Sequence, residues 1–199
     1  KQICNHPALA LKEKAITDGF INRSAKLERL EEILEEVIDS GDRALLFTQF
    51  AEWGHLLQAY LQQRWKFGVP FLHGSTSKTE RQAMVDRFQE DPRGPQIFML
   101  SLKAGGVGLN LTRASHVFHI DRWWNPAVEN QATDRAYRIG QTNRVMVHKF
   151  ITSGSVEEKI DRMIREKSRL AEDIIGSGED WLGGLGVNQL RDIVALDET

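Results

Sequence analysis

Along the chain, short apolar runs alternate with longer segments in which apolar residues recur every three or four positions. The apolar runs have the length of β-strands, and they lie at residues 44–48, 69–72, 96–101, 115–120 and 145–150. The longer segments have the spacing of amphipathic helices, and they lie at residues 24–40, 52–65, 78–89, about 126–139 and 155 to about 175. Strict alternation of strand and helix predicts an α/β fold, a parallel sheet with helices on both faces.

The helix predicted at 126–139 carries two arginines beside its apolar face. Asn125 is a good N-cap, Pro126 suits the first helical position, and Gly140 can end the helix in a left-handed conformation. Steps of about 100° per residue gather one apolar arc, whose members are Val128, Ala132, Ala136 and Ile139. The neighbouring arc contains Gln131, Arg135 and Arg138. Both arginines are therefore predicted to border the core.

Arginines in this position favour an anionic ligand. Guanidinium groups at the edge of a packed seam have restricted rotamers and fixed charge, and their planar donors suit phosphate oxygens, as an arginine finger requires. The alternative is a solvated helix face on which Arg135 and Arg138 pair with Asp134 and Glu129. The choice between these interpretations depends on the residues that flank the helix.

The composition fits one main domain. The chain has 199 residues, 41% of them hydrophobic, and can bury one full core with a small appendage. It has no run of eighteen apolar residues and no signal sequence, and its single cysteine can form no internal disulfide. We expect a soluble protein of a reducing, intracellular compartment with no membrane partner. Because the chain opens on Lys1 in mid-pattern, we also expect it to be a piece of a longer protein.

The charge is nearly balanced but unevenly distributed. The formal net charge is −2. Residues 24–42 contain seven acids against two bases, whereas residues 101–150 contain seven bases against three acids. A polyanion is therefore expected to meet the second region.

Two loops have the composition of phosphate-binding segments. In SLKAGGVGLNL, after the third predicted strand, a glycine cluster lets backbone N–H groups approach a phosphate, although a tight turn explains it equally well. This loop is not a Walker A loop, because no Gly-Lys pair occurs in the chain. In HGSTSKTER, after the second predicted strand, Ser75, Thr76, Lys78 and Arg81 surround a helix N-terminus, which is a natural anion site. The alternative for these two basic residues is ordinary surface charge.

The histidines do not form a metal-ligand pattern. None of the six has ligand spacing with Cys4 or with paired acids. His116 and His119 fall on opposite faces of a predicted strand. We therefore predict no protein-bound metal.

Four motifs in order along the chain carry a family resemblance. They are ALLFTQF at 44–50, HGSTSKTER at 73–81, SLKAGGVGLNL at 101–111, and QATDRAYRIGQ at 131–141 after a Trp-Trp-Asn-Pro segment. They resemble motifs IV, IVa, V and VI of the C-terminal RecA-like lobe of SWI/SNF-family DNA-dependent ATPases, in helicase superfamily two. The opening string KQICNHPAL is similar as well, and the resemblance extends to about Ile175. Trp123 and Tyr137 depart from the polar residue and the histidine common in the family.

The resemblance implies a role for each candidate residue. Arg135 and Arg138, with Gln131, are expected to be catalytic. Gly108 and Asn110 are expected near the nucleotide. The residues expected to bind DNA are Ser75, Lys78, Arg81, Lys103, Gly105 and Trp124. The implied divisions are a lead-in segment at 1–23, the lobe at 24–153, and a brace helix with a C-terminal tail at 154–199.

The resemblance also implies a function for the longer protein. We expect the second motor lobe of an ATP-dependent duplex-DNA translocase or remodelling ATPase. Its substrate is then ATP with Mg²⁺, and the Mg²⁺ is held by an N-terminal RecA-like lobe of the same polypeptide, so this chain alone is expected to be inactive. Other expected partners are duplex DNA and a DNA-bound protein complex, in the cytoplasm or nucleoid, or in the nucleus if the source is eukaryotic. The alternatives are the C-terminal lobe of an RNA helicase and a non-catalytic docking lobe.

Overall fold

In the computed structural model, which describes residues 1–102, 109–138 and 140–171, five strands form one parallel sheet. In chain order they are β1 (Ala44–Thr48), β2 (Phe71–Leu72), β3 (Ile97–Ser101), β4 (His116–His119) and β5 (Met146–Lys149). Their order across the sheet is β2-β3-β1-β4-β5. The central strand β1 is buried along its whole length, as expected of a strand covered on both faces.

Helices connect the strands and flank them. In the described residues they are α1 (Gln2–Asn5), α2 (Pro7–Ala10), α3 (Ala25–Asp39), α4 (Ala51–Trp65), α5 (Lys78–Glu90), α6 (Pro126–Thr133) and α7 (Val156–Ala171), with a short 3₁₀ turn at Ile21–Arg23. The sequence also predicts a short last helix from Asn188 through Ile193, and this segment lies outside the described residues. No helix within the described ranges combines the length and the apolar character needed to cross a bilayer.

Hydrophobic clusters lie on both faces of the sheet, which confirms the predicted fold class. One cluster joins α3 and α4 to the sheet and includes Leu27, Leu30, Leu34, Trp53, Leu57, Leu61, Leu46, Met99 and Phe118. The other joins α5 and α6 to the opposite face and includes Phe88, Ala132, Ala136, Leu45, Phe47, Phe98, Leu100 and Val117. Successive residues of β1 alternate between the clusters because side chains alternate along a strand.

The predicted end of the helix at 126–139 is wrong. Its start is as predicted, since Asn125 Oδ1 accepts from the Ala127 N–H at 3.0 Å and Pro126 occupies the first turn. The α-helix ends at Thr133, with Asp134 as its C-cap, and residues 134–136 form turns. Past this point the N–H groups of Arg135 and Ala136 donate to carbonyls three residues back, as in turns, and the Arg135 carbonyl accepts the N–H of Leu111 at 2.9 Å. Gly140 does have a positive φ of 102°, but it lies beyond the helix.

Strand β2 is shorter than the predicted run at 69–72. Only Phe71 and Leu72 pair with β3. Pro70 lacks an N–H and contributes only its carbonyl, which accepts from Met99 N at 2.9 Å. The strand therefore begins after the proline.

The sequence predicts a capping box at two helix starts, Ser77 with Glu80 at α5 and Ser155 with Glu158 at α7, and only the first forms. Ser77 and Glu80 form the predicted reciprocal capping box. The second box, predicted between Ser155 and Glu158, does not form. Ser155 Oγ accepts from Glu157 N at 3.1 Å, and the Glu158 carboxylate accepts from Gly154 N at 2.8 Å. Each bond is displaced by one residue, but the N–H groups of the first turn still find acceptors.

The first ten residues are part of the packed structure. Asn5 and His6 are fully buried. Asn5 Nδ2 donates to Asp121 Oδ2 at 3.1 Å, and the Asn5 carbonyl accepts from Ser24 Oγ at 2.7 Å. The lead-in segment is thereby bonded to the end of β4 and to the start of α3.

Candidate nucleotide and DNA site

The candidate catalytic residues of the α6 segment differ in exposure. Gln131 and Arg138 are exposed, whereas Arg135 is 4% exposed. A continuous helix would have placed the two arginines at equivalent positions beside the core. Because α6 ends at Thr133, the predicted arc does not extend to them. Arg135 lies inside the lobe and Arg138 at its surface.

Three arginines share one region of positive charge. Burial lowers the pKa of Arg135, and the positive charges of Arg138 and Arg81 lower it further. An arginine stays protonated at neutral pH despite such a shift, so the charges repel one another. An anion placed among them would relieve this repulsion. The region is therefore suited to a phosphate-bearing ligand.

The loop after β3 is joined to the α6 segment. Asn110, predicted near the nucleotide, is exposed. The next residue, Leu111, is fully buried and bonded through its N–H to the Arg135 carbonyl. Asn110 is thereby held beside the segment that carries the candidate catalytic arginines. The other candidates of this loop, Lys103, Gly105 and Gly108, lie outside the described residues.

The candidate DNA-binding residues after β2 lie around the start of α5. Ser75 and Lys78 are exposed and Arg81 is partly exposed. Ser75 Oγ lies 2.8 Å from His73 Nδ1, so its hydroxyl already has a partner within the loop. Because this loop and the one that leads into α6 both follow parallel strands, they share the carboxyl edge of the sheet, where ligands of such folds bind.

Trp124 lies between the end of β4 and α6. It is partly exposed, and Lys1 Nζ lies 4.6 Å from the centroid of its ring. That distance is within the range of a cation–π contact. The lead-in segment therefore contacts the Trp-Trp-Asn-Pro segment directly.

A buried ionic cluster behind this edge was not predicted. It joins Arg122, Glu129, Lys149 and Asp161 by ion pairs, and Arg122 and both carboxylate residues are less than 10% exposed. Glu129 pairs with Arg122 and Lys149. It is buried, and so it does not lie on the solvated helix face that was the alternative interpretation of the sequence. The sequence offered one signal, an Asp-Arg pair at residues 121–122 immediately after the apolar run at 115–120.

Metal-binding clusters are not seen in the part of the chain that the structure describes. No group of three or more His, Cys, Asp or Glu side chains is arranged there to hold a metal ion. His116 and His119 point to opposite faces, with His116 Nδ1 3.1 Å from His148 Nε2 and His119 Nε2 2.9 Å from Thr133 Oγ1.

Comparison with known proteins settles the family. The profile described as "Helicase conserved C-terminal domain" matches residues 25–140. The chain belongs to this family. The matched residues extend from the start of α3 to the turns that follow α6.

Relatives and solved structures lie in the SWI2/SNF2 branch, which confirms the resemblance carried by the four motifs. The lobe is 49% identical over all 199 residues to the putative ATP-dependent helicase/translocase YwqA of Bacillus subtilis. It is 39% identical over 165 residues, 83% of the chain, to the chromatin-remodeling ATPase INO80 of Neurospora crassa. The Sulfolobus solfataricus SWI2/SNF2 ATPase core in complex with dsDNA matches 99% of the chain and 40% of its own, at 43% identity and a TM-score of 0.80.

The lobe is a small part of its curated relatives. It spans 21% of the Bacillus subtilis protein and 8% of the Neurospora crassa protein. The isolated Sulfolobus solfataricus SWI2/SNF2 ATPase C-terminal domain matches the whole chain and 78% of its own, with a TM-score of 0.78 and 41% identity.

Proposed function

We propose that this lobe is the second motor lobe of an ATP-dependent duplex-DNA translocase or remodelling ATPase. The observation that carries the proposal is the placement of two arginines beyond α6: Arg135 is buried with its carbonyl bonded to Leu111 of the loop after β3, and Arg138 is exposed three residues further on. The relatives support it, because their names describe ATP-dependent helicases, translocases and remodelling ATPases.

ATP with Mg²⁺ supplies the transferable phosphoryl group, and an N-terminal lobe of the same polypeptide holds the Mg²⁺. The exposed guanidinium of Arg138 donates to the phosphoryl oxygens, and its planar donors fit two of them at once. Because negative charge on those oxygens must be stabilised in the transition state, a preplaced cation accelerates the reaction. An arginine supplied from a second lobe is worth roughly a thousandfold to a hundred-thousandfold in turnover.

Arg135 and Gln131 support this site in different ways. Arg135 is buried, so its fixed charge acts through a medium of lower dielectric than water and favours an anion nearby. Gln131 is exposed on the last turn of α6 and offers an amide donor and acceptor. Asn110 adds a second exposed amide from the neighbouring loop.

The DNA contacts of the proposal are made to phosphates. Ser75 lies in the loop after β2, Lys78 and Arg81 lie at the start of α5, and Trp124 lies in the loop before α6. Lys103 and Gly105 belong to the loop between these segments in sequence. Phosphate contacts give affinity without reading sequence, which suits a motor that moves along any duplex. If each lobe holds phosphates of one strand, closing and opening of the cleft between lobes advances the enzyme.

The experiment compares Arg138→Ala, Arg138→Lys and the control Arg144→Ala in the full-length protein. Arg144 is exposed and lies outside the arginine region. Arg138→Ala is expected to lower DNA-stimulated kcat by roughly a thousandfold or more, and Arg138→Lys to restore little, because lysine lacks the planar donor pair. The Kd for duplex DNA and the activity of Arg144→Ala stay near the parent values. Normal turnover of Arg138→Ala would overturn the proposal, and stimulation by single-stranded RNA above that by duplex DNA would favour the RNA helicase alternative.

A further inference from the structure

Arg122 joins two helices through one buried guanidinium group. It lies three residues after the end of β4 and is 4% exposed. Its Nη1 donates to Asp161 Oδ1 of α7 at 2.5 Å, and its Nε lies 2.9 Å from Glu129 Oε1 of α6. The second contact is an ion pair without hydrogen-bond alignment. The position of α6 is thus linked to that of α7 by a single side chain.

Glu129 transmits this link to the first turn of α6. It is fully buried, and its Oε1 accepts from the backbone N–H of Trp123 at 2.9 Å. Its Oε2 lies 3.2 Å from Lys149 Nζ of β5. The carboxylate therefore fixes the start of α6 against the preceding loop and against the sheet, and Arg122 is the one of these partners that also reaches α7.

The backbone of Arg122 is fixed as well as its side chain. Its carbonyl oxygen accepts from Lys1 Nζ at 2.5 Å and from Gln49 Nε2 at 3.2 Å. These bonds come from the lead-in segment and from the segment after β1. Because both the backbone and the side chain of Arg122 are held by bonds, a movement of α7 that shifts the guanidinium group also shifts its contact with α6.

Attachment of α7 to the lobe does not require Asp161. Ile160 and Ile164 of α7 are buried, and Glu157 forms a buried ion pair with Lys26 of α3 at 2.6 Å. Well-packed apolar residues often stabilise a buried site as well as an ion pair does. We therefore interpret the ion pair between Asp161 and Arg122 as a contact that sets the position of α7 relative to α6, not as the contact that holds α7 on the lobe.

We propose that Arg122 is a positioning residue through which α7 sets the placement of α6, and with it that of Gln131 on the helix and of Arg138 in the turns that follow it. The inference rests on the proposed function, because it concerns the turnover that those residues support. Arg122 itself contacts no substrate in this scheme. A shift of α7 that moves Asp161 would be transmitted to α6 and would change turnover more than affinity.

The test uses Asp161→Asn in the full-length protein, which removes the charge and keeps the shape. DNA-stimulated kcat is expected to fall about ten- to a hundredfold, because misplacing a catalytic group by about 1 Å costs on the order of a hundredfold. KM for ATP and the Kd for duplex DNA are expected to change by less than about threefold, because the variant keeps the contacts that bind ATP and DNA equally in the ground state and the transition state.

Two control variants separate this role from loss of structure. Arg165→Ala removes the other ion-pair partner of Asp161, which is 75% exposed at its side chain. Glu157→Gln removes a buried carboxylate of α7. That carboxylate pairs with Lys26 of α3 and not with a residue of α6. Both are expected to keep kcat within about threefold of the parent, whatever their change in Tm. If Asp161→Asn does not fold, Asp161→Glu, which keeps the charge and moves the carboxylate by one methylene, is measured with the same expectations.

A background that lacks both site side chains shows whether Asp161 acts through them. In a background that carries Gln131→Ala and Arg138→Ala, Asp161→Asn is expected to lower the residual kcat little further, because residues that act as a unit are not additive. Multiplicative losses, or an unchanged kcat in Asp161→Asn alone, would overturn the positioning role while leaving the proposed function intact. Full activity of Arg138→Ala would instead remove the proposed function itself.

Discussion

The backbone N–H of Leu111 donates to the carbonyl oxygen of Arg135 at 2.9 Å. This bond holds the backbone of Arg135, two residues beyond α6, against Leu111, and the Arg135 side chain is buried. Arg138, three residues further on, stays at the surface. Arg135 and Arg138, which have equivalent positions in the sequence pattern, therefore differ in burial.

This separation predicts different consequences of truncating the two arginines. Arg135→Ala is expected to lower the free energy of unfolding by about 1–3 kcal/mol, because it removes a buried side chain and its polar contacts. Arg138→Ala is expected to change it by less than about 0.5 kcal/mol, as for most surface substitutions. Urea unfolding of the isolated lobe measures both. Equal losses would contradict the difference in burial.

A close contact between α4 and the sheet gives a second prediction. A Cβ added at Gly54 would lie 2.1 Å from Cζ of Phe71, so α4 can approach β2 only without a side chain there. Gly54→Ala is expected to destabilise the lobe by about 1–3 kcal/mol through overpacking. Gly68→Ala is the control, because nothing lies within 4 Å of its Cβ position. A Tm of Gly54→Ala at or above that of Gly68→Ala would show that Phe71 moves aside at no cost.

The sheet could be predicted because its strands are buried on both faces. Such strands appear as continuous apolar runs, and β1 and β3 begin and end within one residue of the predicted bounds. The apolar stripe of α3 was equally clear, with Leu27, Leu30 and Leu34 buried and four of its five glutamates exposed. Local pattern and tertiary burial agree in these elements.

The site could be predicted only in part because tertiary contacts override local pattern there. Beyond α6 the Arg135 carbonyl is bonded to Leu111, which is more than twenty residues away in sequence. Helical spacing shows that Glu129 lies in the first turn of α6, but only the fold shows that Arg122 and Lys149 bury it. Without knowledge of these partners, the sequence alone favours an exposed position for the Glu129 carboxylate.

Two buried histidines predict loss of stability in mild acid. His6 accepts from Ala8 N at Nδ1 and lies 2.8 Å from the Phe20 carbonyl at Nε2, so its neutral form satisfies both contacts. Burial lowers the pKa of His6, and burial lowers the pKa of His119 to about 4. Because both pKa values lie below the unfolded value of about 6.5, the unfolded state binds protons first as the pH falls.

The stability from these histidines is therefore present above pH 6.5 and is lost as the pH falls toward 4. A decrease on the order of 1–2 kcal/mol in the free energy of unfolding is expected between pH 7.5 and 5.5. Urea unfolding at these pH values measures it. The double variant His6→Asn and His119→Gln, which keeps polar side chains that do not titrate, is expected to flatten the profile. An unchanged slope in that variant would assign the acid sensitivity to other groups.

Contact with DNA phosphates predicts a salt-dependent affinity for duplex DNA in the isolated lobe. Each phosphate neutralised by a lysine or arginine contributes about 0.9 to the slope of log K against log salt concentration. Lys78 is exposed at the start of α5, so Lys78→Ala is expected to reduce that slope by about one and to weaken binding equally for duplexes of different sequence. Arg29→Ala is the matched control, because Arg29 is exposed on the acidic helix α3 and pairs with Glu32. Fluorescence anisotropy with a labelled duplex at several salt concentrations measures both variants. A slope near zero for the parent lobe, or an equal reduction in the two variants, would place the DNA contacts elsewhere on the molecule.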